Sequence, residues 1–526
     1  MRRFALALIL LAACTKSEYQ NPPRPVTVAT EVPADAVASP MRVGGAVATE
    51  AMSYKLMRQE KDVVHNTEEY GRFDENPFLR PADNPLSTFS IDVDRASYAN
   101  VRRMLRDGVK PPRDAVRIEE MVNYFTYDYP EPNGADPVSV TTELAACPWN
   151  PRNRLLLVGL QTRKIETEDL PPNNLVFLVD TSGSMESPDK LPLVKNALRL
   201  LVDQLRPEDR VSIVAYARSA GLVLKPTRGS DRAQILDALE AFEAGGSTAG
   251  AEGIVLAYQV AKDNFLRNGN NRVILATDGD FNVGVSSDTE LEQLIEEKRR
   301  DGIFLTVLGF GSGNIKDSKM ELLADKGNGN YSYIDTIAEA RKSLVREMGA
   351  TLFTVARDVK IQVEFNPAHV GAYRLIGYEN RLLRAEDFNN DKKDAGELGA
   401  GHAVTALYEL VPPGGDVPNA DVDPLKYQTR KATGGAELAT LKLRYKEPDG
   451  ETSRLLTRTV STAVDVAPSH NFRLASSVAQ LGMLLRNSPH KGNATFESIE
   501  PIEAEDFIEV VAMARSVGAA EKNASK

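Results

Sequence analysis

The residues best suited to chemistry are oxygen donors gathered in three short segments. Asp180, Ser182 and Ser184 alternate along DTSGSM, Thr248 lies in GGSTAG (Gly245–Gly250), and Asp278 lies in TDGD (Thr277–Asp280). Carboxylates and hydroxyls, with no nitrogen or sulfur among them, suit a hard divalent cation: Mg2+ first, with Mn2+ or Ca2+ as alternatives. Two carboxylates leave little excess charge against a divalent ion, and three hydroxyls fill further positions without adding repulsion. Mg2+ takes about six oxygens and keeps several of them as water, so such a site leaves a place for an external carboxylate.

The elements that must carry these donors read as strands and helices in alternation. NNLVFLVD (Asn173–Asp180) is a continuous apolar run closing on the acid, the pattern of a parallel strand buried on both faces. RVSIVAY (Arg210–Tyr216), NRVILAT (Asn271–Thr277) and IFLTVLGFG (Ile303–Gly311) read the same way. Helical spacing fills the gaps at Leu191–Leu205, Arg232–Phe242, Gly250–Ala261, Thr289–Arg300 and Lys319–Lys326. That alternation predicts an α/β, doubly wound, mostly parallel sheet, which binds ligands at the carboxyl ends of its strands. The segments holding Asp180 and Asp278 fall at such ends, and Thr248 just precedes a helix.

In that order and on those loops, the five residues match the metal-ion-dependent adhesion site of von Willebrand factor type A domains, which are Rossmann-like. The resemblance implies that Ser182, Ser184 and Thr248 are direct ligands and that Asp180 and Asp278 act directly or through water. It also implies a protein partner that offers an acidic side chain to the ion. Asp280 and Asn282 flank the site and read as solvated loop. STFSIDVDRASYANVRRML, VRIEEMVNYF, CPWNPRNRLL and GHAVTALYEL are similar to a family of bacterial type A lipoproteins, over roughly residues 85–515. The organisation then reads as a signal peptide (1–13), a lipidated N-terminus and flexible linker (14–85), an N-terminal region associated with the type A domain (86–171), the type A domain (172–350), and a C-terminal β-rich domain with terminal helices (351–526).

Period-two alternation marks Asp358–Pro367, Ala372–Tyr378, Ala403–Pro412, Ala436–Lys446 and Arg454–Ser461 as antiparallel strands. Val138–Trp149 and Arg154–Arg163 also read as strands and are expected to join that sheet, so that the type A domain is inserted within a β-sandwich-like partner. Helices are expected at Phe472–Arg486 and Ala504–Val517. Near the front, TFSIDVD (Thr88–Asp94) reads as a strand, with Asp94 as the N-cap of the next helix. Asp92 and Asp94 form a DxD pair that a cation could also use; a strand end plus a cap is the preferred reading. DFNNDKKDAGEL (Asp387–Leu398) fails as a calcium loop, because Lys392 stands where glycine is required and Leu398 where the bidentate glutamate belongs. GFGSGN (Gly309–Asn314) is glycine-rich but lacks the unit expected around a nucleotide site. His65 has no partner cluster nearby, and Cys147 and Trp149 read as packing.

The chain starts with Arg2-Arg3 and an apolar run, Phe4–Ala13. The run is too short for a bilayer core of roughly 30 Å and reads as a signal peptide. Leu11-Ala12-Ala13-Cys14 resembles a lipobox, which implies lipidation at Cys14 and attachment to the membrane through lipid only. Thr15 after the cysteine implies the periplasmic face of the outer membrane in a Gram-negative cell. The Pro-, Ala- and Val-rich stretch Asn21–Pro40 is expected to be an extended tether.

The 526 residues carry 74 acidic and 63 basic side chains, a net charge of −11 that argues against a nucleic-acid partner. Two cysteines and five histidines supply neither a disulfide framework nor a zinc cluster. No GxSxG elbow and no histidine occur in 172–350, which argues against serine hydrolysis, and histidine-rich or two-metal hydrolytic sets are also missing. The expectation is a non-catalytic, metal-dependent protein-binding module on the cell envelope. The alternatives are a self-assembling structural envelope protein whose type A domain is scaffold only, and a hydrolase.

Overall fold

The computed structural model describes residues 67–247, 249–279, 288–417, 435–448 and 450–524. Expectations for the signal peptide, Cys14, His65, Thr248, Asp280 and Asn282 fall outside them.

Ahead of the type A domain come β1 (Leu86–Ser90), α1 (Ala96–Arg106), α2 (Ile118–Asn123), β2 (Val138–Ala146) and β3 (Arg154–Thr162). The type A domain follows as β4 (Asn173–Asp180), α3 (Leu191–Val202), β5 (Arg210–Tyr216), β6 (Ala220–Arg228), α4 (Arg232–Glu240), α5 (Gly250–Asp263), β7 (Asn270–Thr277), α6 (Asp288–Arg300), β8 (Ile303–Phe310), α7 (Asp317–Lys326) and β9 (Tyr331–Ile334). Two short helices, α8 (Ile337–Arg341) and α9 (Met348–Leu352), lead out of it. The chain continues through β10 (Thr354–Phe365), β11 (Ala372–Ile376), β12 (Gly396–Gly399), β13 (Ala403–Val411), β14 (Glu437–Lys446), β15 (Arg454–Ser461), α10 (His470–Leu485) and α11 (Phe507–Ala524).

The type A sheet has the order β6-β5-β4-β7-β8-β9, parallel except for the antiparallel edge strand β6. Its central strand β4 is apolar from Leu175 to Val179 because both faces are covered. Leu175, Phe177 and Val179 pack with α3, while Val176 and Leu178 pack with α5. Strand β6 is absent from the sequence reading for a physical reason: Leu222 and Val223 are exposed, and Pro226 sits in the strand, where an edge tolerates it.

The two flanks build one β-sandwich, as the strand pattern suggested. One sheet runs β1-β10-β14-β15, with β12 beside β10, and the other runs β11-β13-β3-β2. Leu156, Val158 and Leu160 of β3 face the first sheet, while Leu155 and Leu157 face a second core formed with α1, α2, α10 and α11. Hence β3 is apolar on both faces, and β2 and β3 join the sheet of later strands through β13. Gly159 is required on the helical side: a Cβ there would lie 2.5 Å from the Tyr129 ring.

Of the flexible linker expected over 14–85, residues 14–66 lie outside the described residues, and the part from Thr67 to 85 is corrected by the structure, which shows it docked. Thr67 and Glu69 pair with the 313–317 stretch through main-chain hydrogen bonds, and Leu79 pairs with Tyr373. Asn76 donates to the carbonyls of Leu375 and Gly377, and the Arg486 guanidinium lies over Phe73. Main-chain pairing and isolated anchors leave no hydrophobic period to read.

The type A domain meets the flanking body across three arginines, Arg102 and Arg117 buried and Arg381 half-buried. Arg102 pairs with Asp335, Glu339 and Asp506, and Arg117 pairs with Glu120, Asp317 and Glu321. Arg381 pairs with Asp92, Asp94, Glu321 and Asp325. Among the described residues, no helix is long and apolar enough to cross a membrane.

Candidate functional site

The site sits at the carboxyl ends of β4 and β7, where a parallel sheet opens between its loops. β4 ends on Asp180, whose carboxylate is fully buried. One oxygen accepts the Ser182 N–H at 2.9 Å. The other accepts the Tyr216 hydroxyl from the end of β5 and the Thr277 hydroxyl from the end of β7, each at 3.1 Å. Three elements therefore aim this one side chain. Burial pushes the carboxyl up to about 6, partly offset by the hydrogen bonds from Ser182, and the neighbouring Asp278 charge pushes the same way as burial. A carboxylate so placed gains from a nearby cation.

After Asp180 the chain makes a short turn that presents both serines. The Ser182 and Ser184 hydroxyl oxygens are 3.0 Å apart; Ser182 is buried and Ser184 is exposed. Main-chain bonds lock this turn to the 245–247 loop: Gly183 donates to the Gly246 carbonyl at 3.1 Å, and Gly245 donates to the Thr181 carbonyl at 2.9 Å. Thr248, which follows that loop, is outside the described residues.

Asp278 directly follows β7 and is fully buried. Its Oδ2 accepts the Lys190 ammonium and the Asn314 amide, each at 2.9 Å. Burial raises this carboxyl, but the Asn314 and Lys190 donors outweigh it and hold the group below the usual carboxylate range; the Ser184 hydroxyl adds to them. Asp180, Ser182, Ser184 and Asp278 are thus drawn into one polar nest. The donor set is oxygen only and reaches the surface through Ser184, which fits a hard cation.

Four supporting residues escaped sequence reasoning: Lys190, Tyr216, Thr277 and Asn314. Thr277 and Tyr216 close strands already identified, so a strand-end polar side chain was the available signal. Asn314 ends the GFGSGN segment, whose glycines serve close approach here rather than phosphate binding. Gly311 has φ +76°, and a Cβ there would lie 2.4 Å from the Lys190 stem.

The other candidates resolve differently. Asp94 does not cap α1: Arg95 occupies that position, without a side-chain bond. Asp94 instead accepts the Tyr331 N–H at 2.8 Å and pairs with Arg381, and Asp92 accepts the Asp94 N–H at 2.9 Å. The carboxylates of Asp92, Asp94 and Glu321 converge within 4.8 Å, but the cation among them is a guanidinium. Asp391, in the calcium-loop look-alike, is bound by Arg444 and Ser453. Cys147 and Trp149 are buried, with the indole N–H donating to Glu409.

Comparison with known proteins places this architecture. Residues 174–347 match the von Willebrand factor type A domain model, 64–157 match the model described as von Willebrand factor, and 350–512 match the model of the YfbK C-terminal region. The YfbK protein of Escherichia coli (strain K12) is 45% identical over 445 residues, covering 82% of this chain and 77% of that one. This chain belongs to the YfbK family of von Willebrand factor type A proteins. The family resemblance runs through both flanks as well as the type A core, in keeping with their shared sandwich. A Synechocystis protein, sll0103, is 29% identical over 197 residues, covering 36% of this chain and 43% of that one. The solved von Willebrand factor type A structure from Catenulispora acidiphila has 18% identity and a TM-score of 0.40, covering 66% of this chain and 80% of that one. Type A domains are typically metal-dependent protein-interaction modules, and they often bind a divalent cation at the adhesion site.

Proposed function

We propose that this chain is a lipid-anchored envelope protein that binds a protein partner through a divalent cation, Mg2+ first. Asp180, Ser182, Ser184, Thr248 and Asp278 would hold the ion. The observation that carries this reading is the nest itself: two buried carboxylates and two serine hydroxyls meet at strand ends, one of them at the surface. When bound, the ion supplies a Lewis-acidic position for an acidic side chain of the partner. The chain's own part is orientation. Tyr216 and Thr277 fix Asp180, Lys190 and Asn314 fix Asp278, and the bonds from Gly183 and Gly245 set the serine turn.

A non-catalytic role is supported by the site's contents. Among the described residues its groups are acids, hydroxyls, an amide and one ammonium engaged with a carboxylate, with no nucleophile–base pair of the kind acyl transfer uses. His402, far along the chain in the β-sandwich, is buried, and burial pushes it down to about 3. Attachment at Cys14 rests on the sequence alone and is part of the proposal.

The test is capture from an envelope extract of the organism that makes the protein. Immobilised full chain and its Asp180→Ala variant are compared in Mg2+ and in EDTA. A partner retained only by the wild type in Mg2+ is the expected result. A partner retained equally in EDTA or by the variant would place binding elsewhere, and self-association that survives EDTA would favour structural assembly.

A further inference from the structure

A set of hard-cation ligands has no need of an ammonium group, yet one is built into this site. Lys190 immediately precedes α3, and its side chain is only 9% exposed. Its Nζ lies 2.9 Å from Asp278 Oδ2 and 3.0 Å from Asn314 Oδ1. The placement is structural, since the stem runs against Gly311, where any side chain would collide with it. Asn314 donates to the same Asp278 oxygen at 2.9 Å. That oxygen therefore already carries two donors, one of them charged, which leaves Oδ1 as the oxygen this carboxylate can offer a cation. Asp180 differs, because it accepts from one amide and two hydroxyls, all neutral.

The charge count follows. Two carboxylates and one ammonium leave a single negative charge in the nest. A divalent ion added to it gives a loaded site of charge +1, where the carboxylates alone would give zero. Arg218, exposed and lying against Gly246 of the neighbouring loop, adds a second positive charge at the rim.

We propose that Lys190 sets the electrostatic balance of this site, loosening its hold on the divalent cation and leaving the loaded site positive so that it favours an external carboxylate. The inference rests on the metal-binding reading above and deepens it. Lys190 acts here as a positioning and specificity residue, because it touches a ligand of the ion and not the ion itself. In a water-poor site a unit charge a few ångströms away is worth a large factor in affinity, on the order of tenfold.

The experiment uses the full chain with Lys190→Met, which removes charge and hydrogen bonding, and Lys190→Gln, which keeps an amide donor for Asp278. Mn2+ affinity is read by electron paramagnetic resonance. Acetate, as the carboxylate probe, is then titrated onto each Mn2+-loaded protein and followed by water-proton relaxation. The expected result is Mn2+ binding about tenfold tighter in both variants, with weaker acetate binding to each. Binding by the variants but not the wild type would support the proposal in its strongest form. Equal or weaker Mn2+ affinity in the variants would overturn it while leaving metal binding intact, and unchanged acetate affinity would overturn its second half. Absence of Mn2+ binding in all three proteins would overturn the metal-binding reading itself. Lys190→Gln guards against a folding defect in the methionine variant.

Discussion

Two places in this molecule gather carboxylates in the dark, and they are built differently. At the strand ends of the type A sheet, Asp180 and Asp278 are accompanied by hydroxyls, an amide and one ammonium, and Ser184 opens the group to solvent. At the junction with the β-sandwich, Asp92, Asp94, Glu321 and Asp325 surround the guanidinium of Arg381, and Arg117 closes the far side through Glu120, Asp317 and Glu321. Both begin from an acid at a strand end or two residues beyond it, with a second polar residue two positions on. What separates the proposed ligand site from the structural joint is the rest of the shell. Hydroxyls leave a cation still to be supplied, whereas arginines supply it from within the chain.

The joint should be the more costly to break. Arg381→Met removes the cation from four carboxylates at once, and loss of one partner of a buried ionic group costs about 3–5 kcal/mol. Urea unfolding checks this, and excess Mg2+ is expected not to restore the lost stability. Restoration by Mg2+ would erase the distinction, because the joint would then accept a metal after all.

The type A site should respond in the opposite sense. Mg2+ at about a hundred times its dissociation constant should stabilise the wild type by about 2.7 kcal/mol. The same Mg2+ should leave Asp180→Ala unchanged in paired urea unfolding curves.

A smaller, pH-dependent effect is expected at the edge of the joint. Glu119 is 2% exposed, and its Oε2 has no hydrogen-bond partner among the described residues. Burial pushes its carboxyl up to about 8, with Glu379 and Asp92 adding repulsion. A carboxyl raised in the folded state costs nothing below its ordinary value near 4.5 and penalises folding increasingly up to about 8. Glu119→Gln should therefore stabilise the protein at pH 9, by on the order of 2 kcal/mol, and be near neutral at pH 4.5. Thermal melts at the two pH values check the sign. The smallest effect belongs to a surface pair. Arg152 and Asp416 meet at 2.9 Å with side chains 78% and 85% exposed. Arg152→Ala should shift stability by less than about 0.5 kcal/mol in the same urea assay.

The contrast between these regions also shows what a sequence can and cannot display. The run NNLVFLVD and the alternation DxSxS were legible because a strand covered on both faces is apolar and a turn must present hydroxyls at fixed intervals. The same logic placed β2 and β3 with the later strands. The supporting layer was not legible. Lys190, Asn314, Tyr216 and Thr277 reach the site from four separate stretches, and only the folded sheet brings them together. The Asp92–Asp94 pair was visible, but its partner, Arg381, lies far along the chain at a separation that no local pattern encodes. Residues 67–79 dock through main-chain pairing and single anchors, and β6 is an exposed edge, so neither shows a hydrophobic period.

The most direct measurement is calorimetric titration of Mg2+, Mn2+ and Ca2+ into the full chain beside its Asp180→Ala variant. Saturable binding of one ion per chain, lost in the variant, is the expected result and would establish a working adhesion-type site. Binding that persists in Asp180→Ala, or no binding by the wild type, would contradict it and leave the nest of acids and hydroxyls as scaffold.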